Sequence, residues 1–145
     1  MNPVVRNVLA VIAGIVLGSI VNMSIVTLGG AVVAPPPGAD LTTTEGLRGS
    51  MHLLELRHFV FPFLAHALGT LAGAWAAASI GASARQTLAL IVGCVFLAGG
   101  VAAALMLPAP LWFEALDVIV AYLPMAWLGA RLAPVRSAPS AVTPV

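Results

Sequence analysis

Residues 8–33 read VLAVIAGIVLGSIVNMSIVTLGGAVV, from Val8 to Val33, and none of these side chains carries a charge. The nearest charges are Arg6 on one side and Asp40 on the other. A helix needs about 20 apolar residues to cross the hydrocarbon core of a bilayer. The stretch is therefore long enough to span, and it is far longer than the roughly 7–15 apolar residues of a signal-peptide core. We read it as a retained first span, because the one small-residue cleavage pattern near its end is followed by Pro35.

The rest of the chain repeats the layout. No charge falls between Arg57 and Arg85, or between Arg85 and Glu114. Hydrophobic residues make up 61% of the chain and charged residues 8%, with mean hydropathy +1.07. Soluble domains hold roughly 45–50% and about 25%. A water-soluble fold of this composition would expose a large apolar surface, which excludes it. Spans are expected at about 8–33, 59–79, 86–107 and 111–132. The expected fold is all-α: one four-helix transmembrane domain over residues 1–132, followed by a disordered tail, 133–145. No room is left for an extramembrane domain.

Between the first two spans, Pro35-Pro36-Pro37-Gly38 stops any helix. Thr42 and Glu45 then form a capping-box pattern, which predicts a short interfacial helix near 44–56. Ser83 and Gln86 give a second such pattern after Gly81, so a tight turn is expected between spans two and three. Arg6, Arg85, Arg131 and Arg136 flank the termini and that turn, while Arg48 and Arg57 lie in the first loop. Four arginines against two place both termini in the cytoplasm.

The net charge of +1 excludes nucleic acid as a partner, and the lipid bilayer is the partner the composition demands. No phosphate-binding loop, dinucleotide fingerprint or nucleophile elbow occurs, so no cofactor is expected. Cys94 reads as an inert core residue.

Small residues recur every four positions at Ala10, Gly14 and Gly18, and again at Ala65, Gly69, Gly73 and Ala77. Such ladders let helix backbones approach closely in lipid. They serve either packing within the monomer or a homo-oligomer or membrane-protein interface. Asn22 continues the first ladder, and an amide at that depth needs a partner.

His66 lies about seven residues into span two, roughly 10 Å below its boundary at 1.5 Å per residue. Thr70 shares its face. Glu114 and Asp117 are three residues apart, hence on one helical face. Both can stabilise a helix N-terminus, but Asp117 is deep for that role. An acid at that depth pairs with another group, and the candidates are His66, Arg57 and His58. We therefore expect a polar pocket built from Asn22, His66, Thr70, Glu114 and Asp117. His52-x-x-Glu55-x-x-His58 carries ligand-type side chains, but on a helix they spread too widely to suit a single metal.

Two stretches carry a resemblance: His58-Phe59-Val60-Phe61-Pro62-Phe63-Leu64-Ala65-His66-Ala67-Leu68-Gly69-Thr70-Leu71 and Leu107-Pro108-Ala109-Pro110-Leu111-Trp112-Phe113. Both are similar to small bacterial integral membrane proteins with four predicted transmembrane helices. The resemblance implies a bacterial cytoplasmic-membrane location and brings no activity with it. In size and span number the chain also resembles small multidrug transporters. Those carry a key glutamate in their first span, where this chain has Asn22, so that activity does not transfer. The expected function is a small transport component or accessory subunit with an outward-facing polar pocket. A small membrane enzyme or metal-binding protein using His52, Glu55, His58 and His66 is the alternative, and a purely structural assembly partner is a third.

Overall fold

The computed structural model describes residues 1–107 and 109–134. Its elements are helices α1 (Pro3–Val32), α2 (Thr44–Ser50), a single 3-10 turn (Met51–Leu53), α3 (Leu56–Ile80), α4 (Arg85–Met106), α5 (Leu111–Val120) and α6 (Leu123–Leu132). Four stretches are long and apolar enough to cross a membrane: Pro3–Val32, Leu56–Ile80, Arg85–Met106 and Leu111–Leu132. The protein is an all-α bundle with the composition of a multi-pass membrane protein. The expected tail lies outside the described residues beyond Pro134, while Ala133, placed in that tail by sequence, is buried beside Ala78.

α3 is the hub. It packs against α1, α4, α5 and α6, and a larger share of it is buried than of any other span. The size pattern is the reverse of a soluble core. Gly, Ala and Thr fill the inside, while Leu, Ile, Val and Met project outward along α1 and α4. That arrangement suits a lipid solvent, where burying large apolar side chains gains little over leaving them in hydrocarbon.

Both ladders meet each other. A Cβ on Gly14 would lie 2.5 Å from the Gly73 carbonyl oxygen, and one on Gly73 would lie 2.5 Å from that of Gly14. A turn further on, Gly18 and Gly69 face each other's carbonyls at 2.7 and 2.9 Å. Only glycine permits this backbone approach. The ladders are thus used inside the monomer, between α1 and α3.

Sequence expectations about local structure are corrected at three places. Span four is not continuous: the helix breaks at Tyr122, whose backbone turns to φ −113, ψ −82. Pro124 is the cause, since it cannot donate to the Val120 carbonyl and its ring would clash there. The cap of α2 is Thr43, not Thr42; its hydroxyl accepts from the Gly46 N–H at 2.9 Å. Thr42 instead donates its N–H and hydroxyl to Asp40 at 2.9 and 2.6 Å. These bonds, the hydroxyl's first, hold the Asp40 carboxyl below its usual range. The turn before α4 also lacks the Ser83 box. Ala84 occupies the N-cap with a left-handed φ of 49, and Asn7 ties the turn by accepting from the Ala82 N–H at 2.8 Å and donating to the Ser83 hydroxyl at 3.0 Å.

Cys94 is exposed on the outer face of α4 rather than buried in the core. The helix turns its small face, with Gly93, toward Ala126 instead.

Candidate functional site

Asp117 is the buried charge of the bundle, with 5% of its surface exposed. Its position on α5 turns it toward α3, where His66 waits. The His66 Nδ1 lies 2.9 Å from each carboxylate oxygen. An ionised carboxylate only accepts, so Nδ1 carries the proton and donates to both. The second donor is the Tyr122 hydroxyl, 2.8 Å from Oδ2. The break before Pro124 is what turns Tyr122 inward. Its ring stacks on His66 with centroids 5.8 Å apart, and its hydroxyl occupies the space beside Gly100 that a Cβ would need.

Tyr122 is not among the five residues expected from sequence to form the pocket. The signal was present: the one tyrosine of the chain stands five residues after the deep acid and two before a proline. Discontinuous spans of this kind, with irregular backbone buried in protein, recur where membrane proteins build binding sites.

Next to this cluster is a cavity of about 400 Å³. The last turns of α1, the first turns of α3, the end of α4 and most of α5 form its wall. Leu41, Leu47, Met51 and Leu54 cover it from the loop between α1 and α3. This cover is anchored to itself: the Asp40 N–H donates to the Ser50 hydroxyl at 2.9 Å. Phe59 stacks edge-on with Trp112 and tilted on Phe113, centroids 5.5 and 4.9 Å apart, and pins α3 to α5 at the cavity side. The lining is mainly apolar. Its side chains with polar atoms are His58, His66, Glu114 and Asp117.

The five residues expected to form the pocket divide. His66, Glu114 and Asp117 line the cavity together. Asn22 and Thr70 do not, because each sits one helical turn too deep. The cavity starts at Val26 on α1 and ends at His66 on α3. Asn22 packs beside Gly69, while Thr70 is wholly buried and its hydroxyl has no hydrogen-bond partner among the described residues. Glu114 receives the Ala109 N–H on Oε1 at 3.1 Å, so it also stabilises the start of α5.

The ligand-type residues of the first loop do not converge. His52 is exposed, and Glu55 pairs with Arg57 at 3.1 Å on the surface. His58 accepts the Glu55 N–H on Nδ1 at 2.9 Å and places Nε2 3.2 Å from the Ala34 carbonyl. Both its nitrogens are committed, which fixes the tautomer with the proton on Nε2. Among the described residues, no three His, Cys, Asp or Glu side chains form a group that could hold a metal. Among the described residues no Ser, Cys or Thr lines the cavity.

No family model, no curated protein and no solved structure matches this chain.

Proposed function

We propose that the protein is a small transport component or accessory subunit of a bacterial cytoplasmic membrane, and that its cavity receives a ligand from the outer side. The observation that carries the reading is a cavity beside a buried, fully partnered acid, roofed by a short separate helix. A purely structural bundle has no need of either feature. A buried charge in lipid costs several kilocalories per mole unless it is paired, so such groups generally mark transport pathways or ligand sites. Four arginines flanking the termini and the second turn, against two in the first loop, support a cytoplasmic location for both termini. The cavity then faces out.

Histidine is the side chain that changes charge between pH 5 and 8 in its ordinary state, and His66 is bonded to an acid beside an open cavity. Such a pair can hand a proton to a ligand or take one from it. The test is reconstitution into vesicles with a trapped pH-reporting dye. Under an imposed proton gradient, wild-type vesicles should acidify faster than empty ones. Asp117→Asn should lower that excess at least tenfold while leaving the protein folded. A wild-type rate equal to that of empty vesicles, or an unchanged Asp117→Asn rate, would remove the transport reading.

A further inference from the structure

The hydrogen-bonding groups of the cavity are all of one kind. The donors are already used: the Nε2–H of His58 meets the Ala34 carbonyl, and the Nδ1–H of His66 meets Asp117. What remains free is acceptor capacity. In its neutral form, with Nδ1–H on Asp117, the His66 ring presents a lone pair at Nε2, for which no partner occurs among the described residues. Glu114 uses Oε1 for the Ala109 N–H and has Oε2 to spare. Pro62, also in the lining, cannot supply the N–H that the His58 carbonyl would meet in an unbroken helix.

The charge is equally one-sided. Among the described residues two acids line the cavity and no arginine does, while the chain has no lysine at all. Arg48 and His52 line an adjoining recess, which shares Met51 and Ala109 with the cavity, rather than the cavity itself. An anion entering the cavity would meet negative charge and no donor. A neutral hydrocarbon would leave the acceptors dry and unpaired, which is costly.

The geometry points to a protonated primary or secondary amine on an apolar body as the occupant, its N–H groups on Glu114 Oε2 and His66 Nε2 and its hydrocarbon against Leu47, Phe61 and Ala104. This assignment rests on the proposed function, since it names the ligand class of the same cavity. The amine supplies what the site lacks: positive charge and donors at one end, apolar surface at the other. Ligand pockets generally combine such an apolar lining with a few convergent polar groups.

The test uses the whole protein in lipid nanodiscs, with empty nanodiscs as the partition control. The probe is radiolabelled 4-phenylbutylamine, and the competitors are the unlabelled amine, its N-trimethylated derivative and 4-phenylbutyrate. Saturable binding is expected. The trimethylated compound, a cation without N–H donors, should compete at least tenfold less well than the amine, and the carboxylate should not compete. Glu114→Gln should weaken amine binding at least tenfold, and Ala104→Trp should abolish it by filling the cavity. Equal competition by the trimethylated compound would overturn the donor assignment. Competition by the carboxylate would overturn the charge assignment while leaving a ligand cavity in place. An undiminished Glu114→Gln affinity would also sink the proposal. Saturable binding that survives Ala104→Trp would place the amine outside the cavity. If the amine shows no saturable binding, labelled 4-phenylbutyrate decides the rest: saturable and lost in Ala104→Trp, it keeps the cavity and removes the amine; absent as well, it removes the ligand reading altogether.

Discussion

Asp117 shows how one residue can be legible and its surroundings not. Its depth behind the start of an uncharged run marked it as an acid in need of a partner, and His66 stood at a similar depth on another span. Depth made His66 one of three candidate partners, with Arg57 and His58, because hydrocarbon leaves an acid few alternatives. Tyr122 could not be found the same way. Its hydroxyl reaches Asp117 only because the backbone breaks, and on an unbroken helix residues five apart lie on different faces. Removing that hydroxyl tests the arrangement. Interhelical hydrogen bonds in membranes average about 0.6 kcal/mol, but bonds to a charged acceptor run to about 1.5–3 kcal/mol. The acceptor here is a buried carboxylate, so Tyr122→Phe should cost about 1–2 kcal/mol, above the membrane average. Reversible unfolding in mixed micelles measures it. A midpoint equal to wild type would mean that the hydroxyl contributes nothing to holding Asp117.

Among the elements, the four long helices were readable from apolar length, and the ladders from four-residue spacing. What spacing left open was whether the ladders face a second copy or each other. Resolving that needs the register of α1 against α3, where Gly14 opposes Gly73 and Gly18 opposes Gly69. The break in the last span was illegible for a different reason. Hydropathy averages over Tyr122 and Pro124, whereas the break is a local matter of one missing N–H and one ring. The ladder carries a prediction at this scale. A leucine at position 73 would have to displace the Gly14 carbonyl and Val92, whereas a Cβ added at position 99 meets nothing within 4 Å. Forcing extra atoms into a packed interface costs about 1–3 kcal/mol, and here the neighbour is backbone that cannot rotate away. Gly73→Leu should therefore destabilise the bundle by at least ~2 kcal/mol in micelle unfolding, at or above the middle of that range. Gly99→Leu should leave the midpoint in place. Equal effects from the two variants would mean that the close α1–α3 approach is not what holds the bundle together.

At the scale of the whole molecule, charge placement and cavity placement come from different physics, yet they bear on one question. The arginines divide four to two between the segments flanking the termini and second turn and the first loop, and that division was readable directly from the sequence. The cavity was not, because it depends on how four helix ends splay and on how the segment from Leu41 to Leu54 folds back over them. In the structure the start of α1 and the Gly81–Ala84 turn lie at one end of the bundle, joined by bonds from Arg6 to the Ile80 carbonyl and from Asn7 to Ser83, and the end of α6 packs there through Ala133 beside Ala78 and Ala89. The cavity lies at the other end, so the orientation of the chain decides which compartment supplies its ligand. The proposed orientation, with the terminal end in the cytoplasm, rests on four arginines against two. The check starts from Cys94→Ala, which removes the native thiol, and adds one cysteine at a time at Thr42 or Ser83. Both positions are exposed, at opposite ends of the bundle. In intact cells stripped of any outer barrier, a membrane-impermeant maleimide should modify Thr42→Cys at once, and Ser83→Cys only after the membrane is opened. The reverse pattern would turn the cavity toward the cytoplasm, and an amine would then be captured from inside the cell. Equal modification of both positions in intact cells would mean dual insertion, and the two-arginine margin would then be too small to orient the chain.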